Sequence, residues 1–173
     1  MVLNNRDRAL VGGLDWSAAV WAGIIAGAVF MVVEMLLVQM ALGMSMWGPP
    51  RMIAAIVMGK GVLPPPETFD ATIVMVAMVV HFVLSVVFAI PLVFIVRRMA
   101  LGAGLGIGAV YGLTLYLVNF YLMTAIFPWF AMARNWVSIA THILFGIVVA
   151  WAFLKLQKAP EAVSVPPTGA AVR

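Results

Sequence analysis

The chain has 173 residues, 65% of them hydrophobic and 9% charged, with ten Lys and Arg against six Asp and Glu. A mean hydropathy of +1.15 is too high for a water-soluble monomer, and the length is expected to be taken up by about four spans of roughly 20–25 residues, with none left for a separate soluble domain. The net charge of +4 is scattered over helix ends instead of forming a stripe, which speaks against nucleic acid, and the lack of cysteine removes disulfides, thiolate metal sites and cysteine nucleophiles.

Four apolar stretches, at about 15–43, 70–96, 101–127 and 135–156, are each bounded by charge, proline or aromatic residues. They predict an all-α membrane protein, a four-helix transmembrane bundle forming one domain over 1–158. The first stretch is too long for a signal-peptide core and lacks a small-x-small cleavage pattern, so it reads as a retained span. In the loop that follows, Pro49-Pro50 suits the first turn of a short helix and Gly59 its end. That helix, at about 51–58, is too short to span and is expected to lie in the interface or re-enter. Pro64-Pro65-Pro66 is expected to return as a stiff extended segment. Met44, Met46, Met52 and Met58 of this loop offer thioethers to Cu(I), or serve as flexible apolar filling. In the second span Pro91 should kink the helix and free the carbonyl of Val87. The Arg97-Arg98 turn is so short that the second and third spans are expected to be antiparallel neighbours. Residues 159–173, rich in Pro, Ala and Val, read as a disordered cytoplasmic tail.

Arg6, Arg8, Arg97, Arg98, Lys155, Lys158 and Arg173 fall on the side of the two termini, and Arg51, Lys60 and Arg134 on the other. The positive-inside rule then places both termini in the cytoplasm. Trp16, Trp21 and Trp151 mark one headgroup level and Trp47, Trp129 and Trp136 the other. Arg51 and Arg134 read as interfacial anchors, or as sites for lipid phosphate or for a partner's carboxylates.

The first and third spans match at an offset of 85 residues, aligning Gly23 with Gly108, Gly27 with Gly112 and Glu34 with Asn119. The second and fourth match at an offset of 61, aligning His81 with His142, Ser85 with Gly146 and Ala89 with Ala150. A duplicated helical hairpin would explain both matches and would place a pseudo-twofold axis along the membrane normal. Small-xxx-small spacing alone is common wherever membrane helices approach closely.

Glu34, His81, Asn119 and His142 are the side chains a bilayer resists most, and each should point into the bundle. Helical rise puts all four roughly 10–15 Å below the outer surface, so they can meet in one layer, with Tyr116, Tyr121, Ser85 and Ser138 as second-rank hydrogen-bonding partners. Three readings follow. The cluster could be structural, with Glu34 bonded to one or both histidines. His81 and His142 could be the axial ligands of a b-type haem, or with Glu34 hold a transition metal. Glu34 and the histidines could also relay protons or bind a polar solute for transport in an oligomer. Nothing in the chain forms a nucleophile–base pair, a phosphate loop or a dinucleotide fingerprint, so an enzyme is not expected.

The run WGPPRMIAAIVMGKGVLPPP, with LYLVNFYLMTAIFPWFAMARNWVSIATHILFG downstream, resembles a group of small bacterial inner-membrane proteins that sometimes carry a sodium/proline symporter label. The likeness covers all four spans and not the tail. It implies a bacterial inner-membrane location and no particular activity, since such symporters need more than twice as many helices and a broken first helix. The expected function is that of a non-catalytic membrane component or accessory subunit, assembling through small-residue faces with itself or within a larger complex.

Overall fold

Three of the spans begin where a side chain takes up a free amide of the first turn. Asp15 Oδ1 accepts from Ala18 N, Asp70 Oδ1 from Ile73 N and Asn135 Oδ1 from Ser138 N, each at 3.0 Å. The computed structural model describes residues 13–157. The tail expected at 159–173, and Arg6, Arg8, Lys158 and Arg173, lie outside the described residues.

The spans α1 (Trp16–Leu42), α3 (Ala71–Val96) and α5 (Trp136–Leu156) are regular helices. The third span begins as α4 (Leu101–Leu117) and continues through a π-helical turn, Val118–Leu122, and a 3-10 turn, Met123–Ala125. Four helices are thus long and apolar enough to cross a membrane, and the chain is an all-α, multi-pass membrane protein. The loop between α1 and α3 carries a short helix, α2 (Gly48–Met58), that starts on Pro49-Pro50 as expected. Residues 63–66 bend instead of running extended. We call the end of the bundle bearing α2 the loop end and the opposite end the terminal end.

Burial follows helical periodicity. On α3 the buried side chains Ile73, Ala77, His81, Ser85 and Ala89 recur every four residues, while Met75, Val79, Val83 and Val87 form the opposite, exposed stripe. Large apolar side chains left exposed in this way suit a lipid solvent. The last helix is the hub: α5 packs on α4, on α1 and more lightly on α3, and Val137, Thr141, Val149, Ala150 and Phe153 are fully enclosed.

Glycine sets the close approaches. A Cβ at Gly112 would run into the backbone carbonyl of His142, and one at Gly108 into that of Gly146. On the other side of the bundle a Cβ at Gly27 would meet the Ser85 side chain at 2.6 Å, and one at Gly23 would stand 2.8 Å from Val86 Cα. The α1/α3 and α4/α5 pairs therefore cross at corresponding residues, Gly27 on Ser85 and Gly112 beside Gly146. A twofold axis through the whole bundle would also make the α1–α5 and α3–α4 contacts alike, and they differ: α1 packs along α5, whereas α3 and α4 scarcely touch. This corrects the expectation drawn from the short Arg97-Arg98 turn. The turn joins the two helices at the terminal end, but their glycine and alanine faces seek other partners, so they part.

The helix continues through Pro91, and the neighbouring carbonyl, that of Phe88, accepts the Tyr111 hydroxyl of α4 at 2.6 Å. At the loop end, Ala54 of α2 packs against Ile73 and Ala77 of α3. Ala77 lies two turns into α3, about 9 Å along its axis, so α2 tucks down beside the span instead of lying wholly above it.

One aromatic and two basic expectations change. Trp129 is buried beneath α2 and donates its indole N–H to the Met52 carbonyl at 3.0 Å, whereas Trp16, Trp21, Trp136 and Trp151 are exposed. Arg51 is buried, donating to the carbonyls of Thr68 at 3.1 Å and Val62 at 3.2 Å. Arg134 donates to the Phe120 carbonyl at 2.6 Å and the Thr124 hydroxyl at 3.2 Å, its guanidinium 4.3 Å above the Tyr121 ring. Both guanidinium groups are thus fastened to the protein's own backbone.

Candidate functional site

On the loop side of the Tyr111–Phe88 hydrogen bond, the space left between α3 and α4 is a cavity of about 470 Å³. Its walls come from α1, α3, the irregular end of the third span and α5, and α2 covers it with Met52, Ile53 and Ile56. Glu34, His81, Asn119 and His142 all line it. The four residues thus face one cavity from four different spans, with Asn119 bonded to His142 of a neighbouring helix and Ser138 to Glu34 as expected, whereas the expected bond between Glu34 and a histidine is not formed.

Glu34 sits four residues after Phe30 and seven after Gly27 on the inner face of α1, and it is 8% exposed. Its carboxylate accepts from the Ser138 hydroxyl at 3.1 Å and from the Thr141 hydroxyl at 2.5 Å, both on α5. It bonds to neither histidine. Among the described residues Glu34 has no lysine or arginine partner, so a buried carboxylate is solvated by two hydroxyl dipoles alone.

The two imidazoles are oriented by backbone carbonyls, which can only accept. His81 must carry its proton on Nε2, which donates to Gly27 O at 2.9 Å, and His142 on Nδ1, which donates to Ser138 O at 2.7 Å. His142 Nε2 then accepts from Asn119 Nδ2 at 3.3 Å. The described residues leave no buried side-chain nitrogen or oxygen without a partner. His81 Nδ1 and Asn119 Oδ1, for which no hydrogen bond is formed within the protein, are thereby accessible lone-pair acceptors on residues that line the cavity.

The Phe30 ring packs against both imidazoles, its centroid 5.6 Å from that of His81 and 5.0 Å from that of His142. Both nitrogens of His142 are engaged, Nδ1 by Ser138 O and Nε2 by Asn119, so the arrangement does not present His81 and His142 as a pair of free axial ligands. No group of three His, Asp or Glu side chains among the described residues is placed to hold a metal ion. Met44 and Met52 line the cavity as apolar surface, and Met58 is exposed.

Of the four second-rank residues, Ser138 bonds Glu34 and Ser85 lines the cavity. Tyr116 is buried with its ring 5.8 Å from that of His142. Tyr121 is 54% exposed on the outside of the bundle under Arg134 and takes no part. Thr141 and Phe30 were not anticipated. Both were signalled by spacing, Thr141 three residues after Ser138 on the same face of α5 and Phe30 one turn before Glu34.

Apart from its polar layer the cavity is apolar, with Phe30, Phe88, Phe120, Phe127, Phe130 and Phe145 among its walls. Its size and its few converging polar groups are those of a small-molecule site. Comparison with protein-family models, with curated proteins and with solved structures finds no match for this chain.

Proposed function

We propose that this protein is a non-catalytic membrane component that holds one amphipathic, mainly apolar molecule in the cavity between α3 and α4. The observation that carries this reading is the cavity itself: about 470 Å³ of phenylalanine-walled space with Glu34, His81 Nδ1 and Asn119 Oδ1 on one level. The apolar part of such a molecule would lie against the phenylalanines and its polar part would reach the acceptor layer. The distribution of lysine and arginine supports termini in the cytoplasm and a loop end facing outward. The resemblance of the α2 loop to small bacterial proteins supports an inner-membrane location, and the matching crossings of α1/α3 and α4/α5 support an origin by hairpin duplication. Assembly with a second copy or a larger complex would use the open Gly102 and Gly106 face of α4, because Gly23, Gly27, Gly108, Gly112 and Gly146 are consumed inside the bundle.

The test is isothermal titration of tetraphenylphosphonium, triphenylphosphine and tetraphenylborate, each separately, into the protein in zwitterionic-lipid nanodiscs with empty nanodiscs subtracted. At least one probe should bind saturably at one per chain. Leu84→Trp, which fills the cavity from α3, should remove that binding while the helix content stays unchanged. Absence of saturable binding by all three probes would end this reading.

A further inference from the structure

We infer that the molecule this cavity takes is a lipophilic cation. The inference rests on the cavity-binding reading and adds the charge of the occupant. The cavity wall contains two carboxylates, Glu34 within and Glu67 toward the loop end, and no lysine or arginine. The basic residues nearest the loop end point elsewhere. Arg51 is bonded to the Thr68 and Val62 carbonyls, Arg134 to the Phe120 carbonyl and Thr124, and Lys60 is exposed outside the lining.

The hydrogen-bonding inventory points the same way. His81 presents its lone pair because its only N–H is spent on Gly27, and Asn119 presents Oδ1 because its amide is turned to His142. With Glu34 these make three acceptors, faced among the lining side chains only by neutral donors, the Ser85 hydroxyl and the second amide N–H of Asn119 and of Asn135. An anionic head group would meet acceptors and carboxylates without a counter-charge. A cation would supply the charge that Glu34 lacks from the protein, since a buried carboxylate is otherwise compensated by a paired cation. The phenylalanine walls add ring faces that attract positive charge and repel negative. An apolar body with a delocalised or alkylated positive centre satisfies wall and acceptor layer together.

The three titrations test this by rank. Tetraphenylphosphonium should bind about tenfold or more tightly than triphenylphosphine, and tetraphenylborate, which has four phenyl groups around a negative centre, should not bind saturably. Glu34→Gln should bring the affinity for the cation down to that for the neutral probe. Equal affinity for the cation and the neutral probe, saturable binding of the anion, or a cation preference retained in Glu34→Gln would each overturn the inference. Those outcomes leave the cavity-binding reading standing, whereas silence from all three probes removes both. The comparison among probes on the unaltered protein decides the matter even if Glu34→Gln proves unstable.

Discussion

Glu34 depends on a hydroxyl that has other choices. Thr141 has one hydroxyl proton and three acceptors in reach, the carboxylate at 2.5 Å, Val137 O at 3.0 Å and Ser138 O at 3.3 Å. A threonine in a helix ordinarily gives its proton to the carbonyl one turn back. The contact to the carboxyl group is the shortest of the three, and when Glu34 is ionised its charge makes it the strongest of the three acceptors. Thr141→Val keeps the shape and removes the donor, leaving one carboxylate oxygen buried without a partner. We expect it to lower stability by about 1–2 kcal/mol, read from thermal unfolding in detergent. An unchanged midpoint would mean that Ser138 alone suffices. The four intramembrane polar residues were legible in the sequence because each interrupts an apolar run. Their bonds were not, because the choice of Ser138 and Thr141 over the histidines depends on how α1 is rotated against α5.

The elements owe their placement to where side chains are missing. Gly112 faces the His142 backbone so closely that any Cβ must push α4 from α5, while Gly106, on the opposite face of the same helix, has nothing within 4 Å of a Cβ. Gly112→Ala should therefore cost about 1–3 kcal/mol through overpacking. Gly106→Ala should cost nothing, or gain slightly through helix propensity. Equal midpoints for the two variants would show that the α4–α5 crossing is looser than described. The spans themselves, with their starts near Asp15, Asp70 and Asn135, and the short helix at Pro49-Pro50 were all readable from composition and spacing. The irregular end of the third span was not. The π turn at Val118–Leu122 is tied to Arg134, fourteen residues after Phe120, whose guanidinium accompanies the Phe120 carbonyl. Such a partner cannot be deduced from the local sequence of either segment.

At the scale of the whole molecule, charge sets orientation and packing sets access. With seven lysines and arginines expected on the terminal side and three on the loop side, the loop end should face outward. Because the chain has no cysteine, single substitutions report this directly. In intact cells, Lys60→Cys should react with a membrane-impermeant maleimide, and Met99→Cys should react only after lysis. The reverse pattern would invert the topology. Access is decided by the hydrogen bond from Tyr111 to Phe88 and by the core beneath it, where Ala22, Ala26, Ala89, Leu92 and Phe153 leave no path. The cavity is consequently closed toward the terminal end. On the reading proposed above, a guest would exchange on the loop side of that floor, and conduction from one face of the membrane to the other would first require the floor to break.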